Sequence, residues 1–168
     1  MKLILETDRL KLREFGLDDT KFIIELVNSP GWLKFIGDRN IKTKADAKNY
    51  LKYGPMKSYL ENGYGLFMVE KKDDNTPIGM CGIIRRDNLE HPDIGFAFLP
   101  SYNGQGYAYE IASATLEYAK KVLKIPEILA ITVGDNVKSI ALLEKIGLKF
   151  IKKIHLKDDK EELLLYGN

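Results

Sequence analysis

The stretch Leu99-Pro100-Ser101-Tyr102-Asn103-Gly104-Gln105-Gly106-Tyr107-Ala108-Tyr109-Glu110 carries residue types at a spacing that suits anion chemistry. An apolar run ends at a proline, turns through two glycines and passes straight into a helical pattern. Such a turn presents several backbone N–H groups at a helix N-terminus, where the positive end of the macrodipole also points. Gly104 and Gly106 lack side chains, so a phosphate can come close to their backbone. The segment predicts a cradle for a diphosphate. It is not a Walker A loop, because Gly106 is followed by Tyr107 and Ala108 where Lys and Ser/Thr are needed. It is not a dinucleotide fingerprint either, because Tyr109 stands where a third small residue would allow close helix–strand packing. Without a ligand, the same glycines read as ordinary punctuation between a strand and a helix.

A second polar pair, Asn136 and Ser139, falls one turn apart at the start of another predicted helix. Both can face one ligand, and Asn136 equally suits an N-cap. Cys81 lies inside the apolar run Ile78 to Ile84 and reads as a buried structural thiol. Histidine occurs only as His91 and His155, and Cys81 is the lone cysteine, so no metal centre is expected.

The elements that must hold these groups follow from periodicity. Alternation predicts strands around Leu10 to Phe15, Gly65 to Lys71, Ile78 to Arg85, Asp93 to Leu99, Glu127 to Val133, Lys149 to His155 and Glu161 to Tyr166. Helices are expected from Asp18-Asp19 to Val27, over Lys44 to Leu60 with a break near Gly54-Pro55, after the glycine turn, and over Asn136 to Ile146. Asn28-Ser29-Pro30-Gly31 reads as a stop followed by a loop-like stretch containing Trp32. The pattern is one mixed α/β (α+β) domain over residues 1–168. It predicts a mostly antiparallel twisted sheet of about 6–7 strands, flanked by about four helices, around a β-α-β unit.

Composition narrows the partners. Hydrophobic residues make up 45% and charged residues 30%, with a net charge of +2, so no strong footprint for nucleic acid exists. No apolar run approaches the roughly 20 residues needed to cross a bilayer. Met1-Lys2-Leu3-Ile4-Leu5 meets Glu6 and Asp8 too early for a secretory signal, and the unpaired cysteine suits a reducing compartment, so a cytoplasmic protein is expected.

This order of elements resembles the GNAT superfamily of acyl-CoA N-acyltransferases. Asn103-Gly104-Gln105-Gly106-Tyr107-Ala108 is similar to that family's pyrophosphate loop, Arg/Gln-x-x-Gly-x-Gly/Ala, with Asn103 departing at the first residue. Asn136 to Leu148 resembles the segment Asn-x-x-Ser-x-x-Leu-Tyr-x-Lys-x-Gly-Phe. Thr7-Asp8-Arg9-Leu10-Lys11-Leu12-Arg13 resembles the start of the branch containing ribosomal-protein N-terminal alanine acetyltransferases and spermidine acetyltransferases.

The resemblance implies acetyl-CoA as cosubstrate, a primary amine as acceptor, and a homodimer as the form often found among relatives. It implies that the amides of Gly104, Gln105, Gly106, Tyr107 and Ala108 hold the coenzyme A diphosphate. A bulging preceding strand would offer the amides of Phe96 and Phe98 to pantetheine and the thioester oxygen. Asn136 and Ser139 would face the pantetheine arm, and Lys145 the nucleotide phosphates. Leu143 stands where many members carry tyrosine as general acid, which leaves Ser139 as the substitute donor to the departing sulfur. Asp93 and His91 are the expected base, acting through water. Trp32 is the expected acceptor contact. Two other classes remain open: a silent acyl-CoA-binding module, and a nucleotide-phosphate enzyme of another fold.

Overall fold

The computed structural model describes residues 2–156 and 160–168, so the acidic turn expected at Asp158-Asp159 lies outside the described residues. In chain order the elements are β1 (Leu3–Glu6), β2 (Leu10–Arg13), α1 (Thr20–Val27), α2 (Pro30–Phe35), α3 (Lys44–Tyr53), α4 (Pro55–Asn62), β3 (Leu66–Lys71), β4 (Pro77–Ile84), β5 (Asp93–Phe98), α5 (Tyr107–Lys121), β6 (Leu129–Val133), α6 (Val137–Lys145), β7 (Lys149–Ile154) and β8 (Leu163–Gly167). They build one eight-stranded sheet in the order β1-β2-β3-β4-β5-β6-β8-β7. Every neighbouring pair is antiparallel except β5 and β6, which run parallel.

Local chemistry explains most boundaries. In α5 the buried residues Tyr107, Ile111, Ala112, Thr115, Leu116 and Ala119 repeat at helical spacing, with Lys120 and Lys121 in the last turn to offset the dipole. Thr43 caps α3 by accepting from the Asp46 N–H, and Asp46 accepts in return from the Thr43 N–H. Asp19 sits at the start of α1 but turns its carboxylate to the Gly16 N–H and the Arg13 guanidinium instead of capping the helix.

Two expectations are corrected. The sheet has an additional edge strand, β1, whose four residues are too short to show an alternation of their own. Pro30 does not end a helix; it opens one, since the first helical position needs no N–H donor. Trp32 therefore lies in α2, only 7% exposed, among the apolar residues of α1 and α3. The two faces of the sheet carry separate cores. Ile94, Phe96 and Phe98 pack on the α5 side with Ile111 and Leu143, whereas Ala97 and Leu99 pack on the side of α1 to α4.

Candidate active site

β5 is fully laddered on one edge and almost bare on the other. Its pairing with β4 runs without interruption from Gly79↔Phe98 to Ile84↔Asp93. With β6 it shares the single pair Asp93↔Leu129, supported by a bond from the Leu129 N–H to the Pro92 carbonyl at 2.9 Å. Beyond that point the two parallel strands part. Leu99 donates to the Ile78 carbonyl at 2.9 Å, which fixes the alternation: odd-numbered residues of β5 bond to β4. The N–H and C=O groups of Phe96 and Phe98 therefore face the gap. Across it, β6 is occupied along its other edge by β8, from Leu129↔Gly167 to Val133↔Leu163.

The result is a wedge, closed at Asp93 and Leu129 and open toward the glycine turn and the start of α6. Backbone polar groups shut away from water without partners are costly, so a wedge of this kind suits a ligand that itself carries amides. The expected bulge is absent, because the β4–β5 register is continuous. The amides of Phe96 and Phe98 are freed by strand divergence, while their side chains pack in the core.

At the mouth of the wedge, Pro100–Tyr102 makes a single 3-10 turn, and Gly104 and Gly106 follow at φ 77° and 82°, the left-handed region that favours glycine. Gln105 is exposed, and its Nε2 donates to the Ser101 carbonyl at 2.9 Å. Glu110 is the first residue of α5 to bond back, to the Gly106 carbonyl at 3.1 Å. The N–H groups of Tyr107, Ala108 and Tyr109 thus have no acceptor within the helix. Gly104, Gln105, Gly106, Tyr107 and Ala108 thus run from the turn into the first turn of α5, the kind of segment that suits a diphosphate. Glu110 points back to the β1–β2 turn, where it meets Thr7 and Arg9.

The other predicted residues distribute around this frame. Asn136 accepts from the Ser139 N–H at 3.2 Å and so caps α6 at the open end of the wedge. Ser139 is half-buried, and among the described residues its hydroxyl has no partner. Leu143 is 1% exposed within the core, where it can donate nothing. Lys145 sets its ammonium 4.3 Å from the centre of the Tyr109 ring, bridging α6 to α5.

Asp93 sits at the apex, 1% exposed, with Oδ1 accepting from Arg86 Nε at 2.9 Å. Burial pushes its pKa up to about 6, against the opposing pull of the Arg86 charge. His91, half-buried, is turned toward Glu127 at the outer rim, with Nε2 2.5 Å from Oε2. The structure thus brings Asp93 to the wedge and holds His91 against Glu127 at the rim. Trp32 is in neither place. Its indole N–H is buried and without a partner among the described residues. Of the other aromatics near the acceptor side, Tyr59 is committed to the fold, its hydroxyl donating to the Leu66 carbonyl and accepting from the Phe15 N–H. Among the described residues, no group of three His, Cys, Asp or Glu side chains could hold a metal ion, and no helix is long and apolar enough to cross a membrane.

Arg9 meets the glycine turn, a contact that the sequence reading did not anticipate. Its guanidinium donates through Nη1 to the Gln105 carbonyl at 3.0 Å and stacks 4.3 Å over the Tyr107 ring. The sequence signal for it is the Thr7-Asp8-Arg9 motif, which names no partner for the guanidinium.

A parallel pair that parts beside a glycine-rich strand-to-helix turn suits a ligand that carries both amides and a diphosphate. The chain belongs to the GNAT acetyltransferase family: residues 9–149 match the model of the Acetyltransferase (GNAT) domain. It is 30% identical over 152 residues to the N-acetyltransferase YnaD of Bacillus subtilis, covering 89% of this chain and 86% of that protein. Among solved structures, a GNAT-family acetyltransferase from Bacillus anthracis superposes with a TM-score of 0.80 at 25% identity, covering 99% of this chain and 98% of that one. RimL, a ribosomal L7/L12 alpha-N-protein acetyltransferase in complex with coenzyme A, superposes with a TM-score of 0.84 at 15% identity, covering 99% and 97%; it shares the fold. The protein is accordingly an acetyl-CoA-dependent acyltransferase.

Proposed function

We propose that the protein acetylates a primary amine, either a protein N-terminus or a small-molecule amine, by direct attack within a ternary complex. The observation that carries this reading is the wedge between β5 and β6, with the Phe96 and Phe98 amides turned into it. The donor set fits the cosubstrate: strand-edge amides suit the amide-bearing pantetheine arm, and the glycine loop suits its diphosphate. Acetyl-CoA, when bound, supplies an activated acetyl group on a sulfur leaving group.

The chain's own residues do the rest. The Phe96 N–H donates toward the acyl oxygen, a kind of interaction that typically contributes about 3–4 kcal/mol to the rate-limiting barrier. Asp93 takes a proton from the incoming amine through water. At about 6 its raised pKa still leaves it mostly anionic at neutral pH, while making it a stronger base than an ordinary carboxylate. An α-amino group, with a pKa of about 8, needs about 1.4 kcal/mol to deprotonate at pH 7, whereas a lysine-like amine near 10.4 needs about 4.6. A single buried carboxylate matches the first demand better, and the likeness to RimL, a protein named as an alpha-N-acetyltransferase, runs the same way.

The Ser139 hydroxyl donates a hydrogen bond to the departing sulfur in place of the missing tyrosine, and the sulfur leaves as the thiolate. A coenzyme thiol has a pKa near 8.5, so the thiolate leaves acceptably at neutral pH and the contribution of Ser139 is modest. Ser139→Ala is expected to lower kcat roughly tenfold while leaving the KM for acetyl-CoA within about twofold. Unchanged turnover in a steady-state assay removes Ser139 from that role.

Leu143 in the tyrosine position favours one rival, a silent module that binds acyl-CoA without turning it over. Thiol release measured with purified protein, acetyl-CoA and a panel of peptides and polyamines separates the two. Amine-dependent release, with the acetylated product identified by mass spectrometry, is the expected result. Binding of acetyl-CoA with no release above background overturns the proposal.

A further inference from the structure

We infer that Arg9 is a positioning residue for the diphosphate loop, orienting a loop amide from behind without touching the ligand. This rests on the reading that Gly104 to Ala108 hold the diphosphate.

The argument begins with the peptide joining Gln105 to Gly106. Arg9 Nη1 donates to the Gln105 carbonyl at 3.0 Å. In a trans peptide the carbonyl and the following N–H point in opposite directions. Fixing the Gln105 carbonyl toward Arg9 therefore turns the Gly106 N–H the other way, into the concave side of the loop. Without this bond, a segment containing two glycines at positive φ has many conformations and must be ordered afresh at each binding event. The loop's other tethers, from Gln105 Nε2 to the Ser101 carbonyl and from the Asn103 N–H to the Pro100 carbonyl, act before this peptide and leave its plane free.

Arg9 is itself held rigidly enough to serve. Its Nε donates to Glu110 Oε1 at 2.7 Å, its backbone N–H to Glu110 Oε2 at 2.9 Å, and the Thr7 hydroxyl adds a bond to Oε2 at 2.5 Å. The Tyr107 ring backs the guanidinium at 4.3 Å. Glu110 stands in the first turn of α5 and Arg9 in the β1–β2 turn, so this cluster locks the loop against two rigid elements. The role needs a planar group that donates in two directions at once, which lysine cannot do.

Three variants and two measurements test this. Arg9→Lys and Arg9→Gln should both raise the KM for acetyl-CoA about tenfold, with kcat and the KM for the amine within about twofold, as expected for loss of one charge-assisted bond that acts on binding alone. Glu110→Gln, which loosens Arg9 without removing it, should shift the same KM by about threefold. Amide hydrogen exchange of the ligand-free variants should quicken at residues 104–108 and stay unchanged in the β4–β5 ladder. Recovery of wild-type KM by Arg9→Lys would mean that charge alone matters and overturns the inference. So does a lowered melting temperature with an unchanged KM and unchanged loop exchange, the signature of a merely structural cluster. Calorimetry on the wild type keeps the underlying reading separate: no heat with coenzyme A removes both, whereas wild-type binding with unaltered variants removes only the role of Arg9.

Discussion

Replacing Asp93 with asparagine is expected to lower kcat/KM by roughly two to four orders of magnitude, the usual contribution of a positioned base. The wild-type profile should fall on the acid side through about pH 6, where the buried carboxylate protonates, and the variant should lose that limb. Stability should move the opposite way. The folded pKa lies above the ordinary carboxylate value, so the native state binds the proton more tightly than the unfolded chain. The stabilising contribution is complete below about pH 4 and is lost as pH rises through about 6. At pH 8 the wild type thus carries a buried charge that asparagine lacks. The variant should be more stable there by up to about 3 kcal/mol, with the gap closing at pH 4. Urea denaturation at the two pH values reads this directly. A variant that is less active but no more stable at pH 8 would show that Asp93 is not a strained carboxylate. Full activity would remove it as the base.

Phe96→Pro should separate backbone from side chain. Its N–H faces the wedge and takes no part in the β4 ladder, so proline removes a donor without cutting the sheet. Phe96→Ala serves as the control, losing the same aromatic packing while keeping the amide. Relative to the alanine variant, proline is expected to reduce kcat by a further factor of roughly 10²–10³, the loss typical of one donor to a developing negative charge. Equal activity of the two variants would exclude the Phe96 amide from the reaction. Ala97→Pro, one residue along, breaks a ladder bond and should unfold the domain instead, visible as loss of the cooperative thermal transition.

Sequence legibility followed the range of the interactions. The glycine turn and α5 were legible because positive-φ glycines and a helical apolar repeat are local properties. The helix at Asn136 was legible for the same reason, its cap lying three residues from the amide it serves. The parting of β5 from β6 was not, since Asp93–Phe98 and Leu129–Val133 carry the same apolar residues whether the strands pair or diverge. Resemblance pointed to the amides of Phe96 and Phe98 by way of a bulge, whereas the register is continuous and the strands part instead. The contact between Arg9 and Glu110 joins residues 101 apart, beyond any local pattern. The helix around Trp32 was hidden because Pro30 resembles a terminator until its place at the first helical position is seen. The environment of Asp93 was also hidden, because its burial arises from strands and a loop that meet only in the folded chain.

The lone Asp93↔Leu129 pair has a mechanical meaning. Among the described residues it is the only strand pair joining the five-stranded half of the sheet to the three-stranded half. An inserted amide chain would act as a splint across that seam, so cosubstrate occupancy should stiffen the whole molecule and not merely fill a hollow.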